Sequence, residues 1–128
     1  MRKLLIATAF IEAGAGLALL VFPSLTVMLL LGASLDSAVA VMLGRVAGAA
    51  LFTLGLACWL ARDDAQSRAA RGLVAAMMAY NLAVVVIFTF ADLDLKMGGI
   101  ALWPAVIAHG AMIVWRMASL RGGAASEK

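Results

Sequence analysis

Four polar side chains lie near the middle of four otherwise apolar stretches of this chain: Glu12, Arg45, Asn81 and His109. Side chains of these types can exchange protons, pair with charges or hydrogen-bond a polar ligand. An ionised side chain at the centre of a bilayer costs about 2.5–3.5 kcal/mol on insertion scales, so it is rarely kept without a partner or a function. One such residue in each stretch predicts a single polar cluster between packed helices.

Helical geometry predicts that these four residues lie at similar depths in a membrane. With a rise of about 1.5 Å per residue, each residue falls roughly 12–18 Å from the cytoplasmic side. Side chains as long as those of glutamate and arginine can bridge the differences in depth between them. Thr8 shares a helix face with Glu12, and Tyr80 adjoins Asn81. Both are therefore further candidates for ligand binding or a proton relay.

A purely structural interpretation of the same residues stays open. Glu12 and Arg45 could form a buried ion pair that holds two helices together, and Asn81 and His109 could be interhelical hydrogen-bonding groups worth about 0.6–2 kcal/mol each. The sequence does not separate this interpretation from a working site.

The elements that must position these residues are apolar helices. Hydrophobic residues make up 66% of the 128 residues and charged residues 13%, against roughly 45–50% and 25% in soluble domains. The fold class predicted is all-α: an integral membrane four-helix bundle, whose spans need about 20 residues each. The predicted spans are residues 4–22, 37–61, 70–90 and 99–117.

A short helix is predicted between spans one and two. Pro23 ends the first span, and residues 25–31 are apolar but too few to cross a bilayer, so an interfacial or re-entrant helix that ends at Gly32 and partly covers the bundle mouth is expected. Asp36 or Ser37 is expected to cap the next helix.

The chain is predicted to form one domain over residues 1–121, followed by a flexible tail at 122–128. A cleaved signal peptide is the alternative for the N-terminus, because Arg2 and a small-residue segment would suit one. Glu12 interrupts the apolar segment and hydrophobicity resumes at Leu17. An uncleaved first span is the prediction.

Glycines mark the predicted helix contacts. Gly16 shares a face with Glu12, while Gly44, Gly48 and Gly55 repeat along span two. Small residues let membrane helices approach closely, so these four are predicted packing positions.

Basic residues predict the orientation. The third loop carries Lys96, and the first loop carries no lysine or arginine. The positive-inside rule then places both termini and the middle loop in the cytoplasm of a multi-pass protein. The eight bases on the predicted cytoplasmic side are Arg2, Lys3, Arg62, Arg68, Arg71, Arg116, Arg121 and Lys128.

Several chemistries lack the residues they need. Cys58 is the single cysteine, so no intramolecular disulfide can form, and one histidine cannot supply bis-histidine haem ligation. Glu12 and His109 are too few ligands for a metal. No metal or cofactor is predicted, and the bases beside the spans are explained by topology and anionic lipid rather than nucleic acid.

The chain resembles the DoxX-like group of small bacterial four-helix inner-membrane proteins. That resemblance implies a bacterial inner-membrane location and this fold, more than an activity. The residues that carry it are Glu12 with Gly16, Phe22-Pro23 before a short apolar helix ending at Leu31-Gly32, and Gly44-Arg45 with Gly48 and Gly55.

A second similarity is to the small multidrug resistance transporters, which also have four short helices and a membrane-embedded glutamate on the first. Glu12 matches their proton- and drug-binding carboxylate. Arg45, His109 and the segment after Pro23 depart from their pattern.

Three functions follow as hypotheses. The first is a membrane protein, in contact with lipid, whose polar centre binds an amphipathic or anionic small molecule or lipid. Arg45 would pair with an anionic group of that ligand. In the same class, the protein could instead serve as a structural membrane subunit. The second is a proton-coupled transporter with Glu12 as coupling carboxylate; it is expected to be a homodimer, because four thin helices leave little room for a pathway. The third is an intramembrane enzyme with Glu12 or His109 as general base.

Overall fold

The computed structural model describes the backbone of residues 1–125 and the side chains of residues 1–118. Within this part of the chain all regular secondary structure is helical and there is no β-strand, which confirms the predicted all-α class. A 3₁₀ turn at Ala61–Asp64 follows the third helix. The helices are α1 (Arg2–Val21), α2 (Pro23–Leu31), α3 (Ala38–Leu60), α4 (Arg68–Leu93) and α5 (Leu102–Ala125).

Three of the described helical segments are long and apolar enough to cross a membrane. They are α1, α3 together with its 3₁₀ turn, and α4, which have 20, 27 and 26 residues. The apolar part of α5, Leu102–Ala118, is shorter. The large exposed side chains on these helices include many apolar ones, such as Phe10, Val46 and Ile107. Such a surface is suited to a hydrocarbon environment.

Helices α1 and α3 pack closely because three glycines lie between them. A Cβ atom on Gly48 would come within 2.7 Å of the backbone oxygen of Gly16 and of the backbone nitrogen of Leu20. A Cβ on Gly55 would lie 2.7 Å from the backbone nitrogen of Ala13. Any larger side chain at these positions would push the two backbones apart.

Gly44, also predicted as a packing position, faces a different neighbour. A Cβ there would lie 3.2 Å from the Cβ of Pro23 and 3.3 Å from a methyl group of Leu35. Gly44 therefore allows α2 and the following loop, rather than α1, to approach α3.

The apolar core lies where α1 and α3 meet α4 and α5. Cys58 is fully buried there, as are leucines of α1 and apolar side chains of α4. The principal core side chains are Leu4, Leu5, Cys58, Val74, Met77 and Met112.

The predicted short helix is present as α2, with Pro23 as its first residue. Its end is held by the loop between α4 and α5. The backbone N–H of Gly99 donates to the carbonyl of Leu30 at 2.9 Å, and that of Ala101 donates to Leu29 at 2.8 Å. Gly32 then leaves the helix in the left-handed region, with φ of 69°, which a glycine adopts at little cost.

The helix boundaries differ from prediction mainly in α5. It begins at Leu102 rather than residue 99, since the preceding loop is bound to the end of α2. It continues to Ala125, so residues 122–125, predicted to belong to a flexible tail, are helical; residues 126–128 lie outside the described part. Ser37 caps α3 by accepting a 3.1 Å hydrogen bond from the Ala40 N–H.

Candidate functional site

Asn81 and His109 join α4 to α5 inside the protein. The Asn81 side chain is buried, and its Nδ2 donates to the carbonyl of Met77 at 2.5 Å. Its Oδ1 lies 2.5 Å from His109 Nδ1. A carbonyl oxygen can only accept, so this arrangement assigns the proton of a neutral imidazole to Nδ1 and a lone pair to Nε2.

Tyr80 packs against the same imidazole. The two rings are T-shaped, with centroids 6.0 Å apart and planes at 76°. Because Tyr80 and Asn81 are consecutive on α4, one turn of that helix positions the His109 ring by a hydrogen bond and by an aromatic contact.

Arg116 lies two turns further along α5 and is only 1% exposed. Its guanidinium donates to Thr8 Oγ1 on α1 at 2.9 Å and to the carbonyl of Met77 at 2.7 Å. The Met77 carbonyl thus accepts from both Asn81 and Arg116. These bonds form a continuous buried network from His109 to Thr8, which links three helices.

Glu12 lies one turn from Thr8 and is 3% exposed. Both ion pairs between described side chains within 4 Å involve Asp63 at the surface, with Arg2 at 3.3 Å and Arg62 at 3.1 Å. Glu12 and Arg116 therefore do not form a direct ion pair, although Arg116 bonds Thr8, which lies one helical turn from Glu12. The Arg116 guanidinium is therefore near the buried Glu12 carboxyl group but does not occupy its hydrogen-bonding positions.

A cavity of about 150 Å³ lies beside this network. Three helices each contribute one polar side chain to it: Glu12 from α1, Tyr80 from α4 and His109 from α5. From α2, Thr26 and Leu30 also line the cavity, and the Thr26 hydroxyl already donates to the carbonyl of Phe22 at 2.9 Å. The remaining lining is apolar: Ile11, Ala15, Leu19, Leu51, Val84, Phe88 and Ala105.

The chemistry available to a bound group is hydrogen bonding. Glu12 offers a carboxylate, Tyr80 a hydroxyl that donates or accepts, and His109 the Nε2 atom not used by Asn81. Arg116 does not line the cavity, and its observed bonds go to protein atoms. Among the described side chains no cluster of three or more His, Cys, Asp or Glu could hold a metal ion.

Arg45 does not join the cluster, contrary to the sequence prediction. It is exposed on α3, whereas Gly48 and Gly55 face α1. The prediction placed Arg45 beside Gly48 on an inward face. The close backbone contact at that glycine leaves no room for a long side chain between α1 and α3, and the Arg45 side chain is exposed instead.

Arg116, which sequence reasoning assigned to the cytoplasmic surface, is the arginine that the structure buries. The helical spacing of the sequence indicates that Arg116 is buried. His109, Met112 and Arg116 follow at i, i+3 and i+7, which is one face of a helix, and Met112 is also buried. Extending the His109 face by one more turn would have identified Arg116.

Comparison of the chain with protein-family models, curated proteins and solved structures gives no significant match. The DoxX-like resemblance therefore stays a prediction from the residues that carry it.

Proposed function

We propose that this is a membrane protein of four spans, α1, α3, α4 and α5, that binds an amphipathic small molecule by its polar group. The observation that carries the proposal is the cavity into which α1, α4 and α5 each place one polar side chain, Glu12, Tyr80 and His109. A site built only for helix packing would gain nothing from a cavity beside its polar groups.

The fourth span is supported by the composition and position of α5. Its apolar part, Leu102–Ala118, has 17 residues, or about 25 Å of helix, which is close to the hydrocarbon thickness of a bilayer. Trp103 and Trp115 are exposed toward opposite ends of this segment, as interfacial aromatic residues are in membrane proteins. Exposed Leu25 and Met28 suit α2 to the membrane interface.

Orientation with both termini in the cytoplasm follows from the bases. With Arg116 removed because it is buried, seven bases stand on the proposed cytoplasmic side, against Lys96 outside. The DoxX-like resemblance supports a bacterial inner membrane. In a Cys58→Ala background, a membrane-impermeant maleimide added to intact cells should label Ser34→Cys and not Gln66→Cys. The reverse pattern would contradict this orientation.

The ligand's polar group is neutral and hydrogen-bonding, such as a hydroxyl or an amide. Among the described side chains no lysine or arginine lines the cavity, because Arg45 is outside and Arg116 is engaged by Thr8 and Met77. An anionic group would instead approach the Glu12 carboxylate and be repelled. The anionic ligand considered from the sequence required Arg45 in the site, so it is no longer favoured.

Native mass spectrometry of protein extracted in a mild detergent tests the proposal. The wild type should carry a small-molecule adduct. Ala105→Phe, which fills the cavity, and His109→Leu, which removes a polar group, should lose that adduct, whereas the exposed Arg45→Gln control should keep it. A wild type without any adduct, or equal retention in all variants, would contradict the proposal.

Proton-coupled transport depends on Glu12 in this geometry. His109 is bonded through Nδ1 to an amide, which does not pass protons onward. Proton flux in liposomes that disappears in a folded Glu12→Gln variant would favour transport over simple binding.

A further inference from the structure

A second, larger space adjoins the polar cavity. It is an apolar groove of about 440 Å³ between α2 and α3, and Phe88 of α4 also lines it. Val27 and Leu31 of α2 line one side, and Leu43 and Ala47 of α3 line the other. Leu43 and Ala47 are also exposed on the outer surface of α3, so the groove opens toward the surroundings of the protein at that helix.

The groove and the polar cavity share a boundary. Leu19, Leu30 and Phe88 line both spaces. These three residues come from α1, α2 and α4, and they lie between the apolar groove at α3 and the cavity lined by Glu12 and His109. The two spaces together have the shape of one amphipathic site, with a polar end inside and an apolar end outside.

We infer that the groove holds the hydrocarbon chain of the molecule whose polar head binds in the cavity, so that the ligand is a single-chain lipid that enters from the bilayer past α3. The inference rests on the proposed function. It narrows the ligand from any amphipathic molecule to one with a long apolar chain and a neutral hydrogen-bonding head.

Physical reasons favour a hydrocarbon chain as occupant. An apolar space does not hold water, since a water molecule there would lack hydrogen-bond partners. Left empty, its lining would lose dispersion contacts on one side. In a bilayer a lipid chain fills such a space without desolvation cost, and the adjoining polar cavity selects which lipid stays.

Photolabelling tests the inference. The probe is a hexadecanol analogue with a diazirine at mid-chain, added to the protein in phosphatidylcholine liposomes, and the labelled positions are mapped by mass spectrometry after digestion. Three single variants are compared with the wild type. Ala47→Phe fills the groove, His109→Leu removes a head-group partner, and Ala49→Phe is the matched control at an exposed position on the other side of α3.

The wild type should be labelled at Leu43, Ala47 and Phe88. Ala47→Phe should lower that labelling about tenfold, because a chain forced into the filled groove meets an overpacking penalty. His109→Leu should lower it as well, while Ala49→Phe should leave it within about twofold of the wild type.

The other outcomes overturn the inference in distinguishable ways. Labelling that falls in His109→Leu but not in Ala47→Phe would refute the chain site and leave the proposed function standing. Labelling that falls in Ala47→Phe but not in His109→Leu would show a chain site independent of the polar cavity. Labelling spread evenly over the outer surface and unchanged in every variant would refute both.

Discussion

Replacing Arg116 by methionine should destabilise the protein mainly through charge. The substitution removes two hydrogen bonds, but the Met77 carbonyl keeps its bond from Asn81, and the Thr8 hydroxyl can donate to its own helix. The larger effect falls on Glu12, whose nearby opposite charge disappears. Removing one partner of a buried ion pair in direct contact costs about 3–5 kcal/mol, and a smaller loss of about 2–3 kcal/mol is expected here because the two groups are not in direct contact.

A double-mutant cycle isolates this coupling. Arg116→Met and Glu12→Gln should each lower the free energy of unfolding by about 2–3 kcal/mol, whereas the double variant should lose about 2 kcal/mol less than the two single losses together. The assay is equilibrium unfolding in mixed micelles of a mild detergent and dodecyl sulfate, followed by circular dichroism. Arg45→Met is the matched control: this arginine is exposed, so its replacement by methionine should not lower the free energy of unfolding.

Two results would refute this reasoning. Strict additivity of Arg116→Met and Glu12→Gln would mean that the two charges do not sense each other. A loss from Arg45→Met that equals the loss from Arg116→Met would mean that the wrong arginine has been assigned to the interior.

Three further predictions concern the helix contacts and the site. Gly48→Ala should lower the free energy of unfolding by about 1–3 kcal/mol because its Cβ would meet backbone atoms, whereas Gly110→Ala, with open space at its Cβ, should be neutral or slightly stabilising. His109 is the only histidine, so ring ¹⁵N spectra should show one Nδ1–H tautomer; Asn81→Leu should change this tautomer, and an unchanged spectrum would contradict the assigned bond. Cys58 is fully buried and should react with maleimide only after unfolding; rapid reaction of the folded protein would contradict the described core.

The helices themselves could be predicted from the sequence. Run length and hydropathy locate α1, α3 and α4, and Pro23 and Gly32 mark the ends of α2. These signals are local, because a proline cannot continue a helix and a glycine easily leaves one. The extension of α5 to Ala125 carries no comparable signal.

The composition of the site was predictable only in part. Glu12, Asn81 and His109 are rare polar residues in apolar spans, so depth alone singled them out. Depth does not fix rotation about a helix axis, and neighbouring residues on a helix differ by about 100°. Arg45 was therefore assigned to the wrong side of α3. Arg116 lies close to other basic residues, so it was counted among the cytoplasmic bases that set the orientation.

The predicted proximity of Tyr80 and Glu12, which line the same cavity, tests the central claim most directly. Tyr80 is the only tyrosine, and in a Glu127→Gln variant Glu12 is the only glutamate. Selective ¹³C labelling of these two residue types in bilayer-embedded protein should then give a solid-state NMR cross-peak between the tyrosine ring and the Glu12 carboxyl carbon. Absence of that peak, in a sample whose His109 still shows its bond to Asn81, would mean that Glu12 does not face the cavity and that the proposed site does not exist.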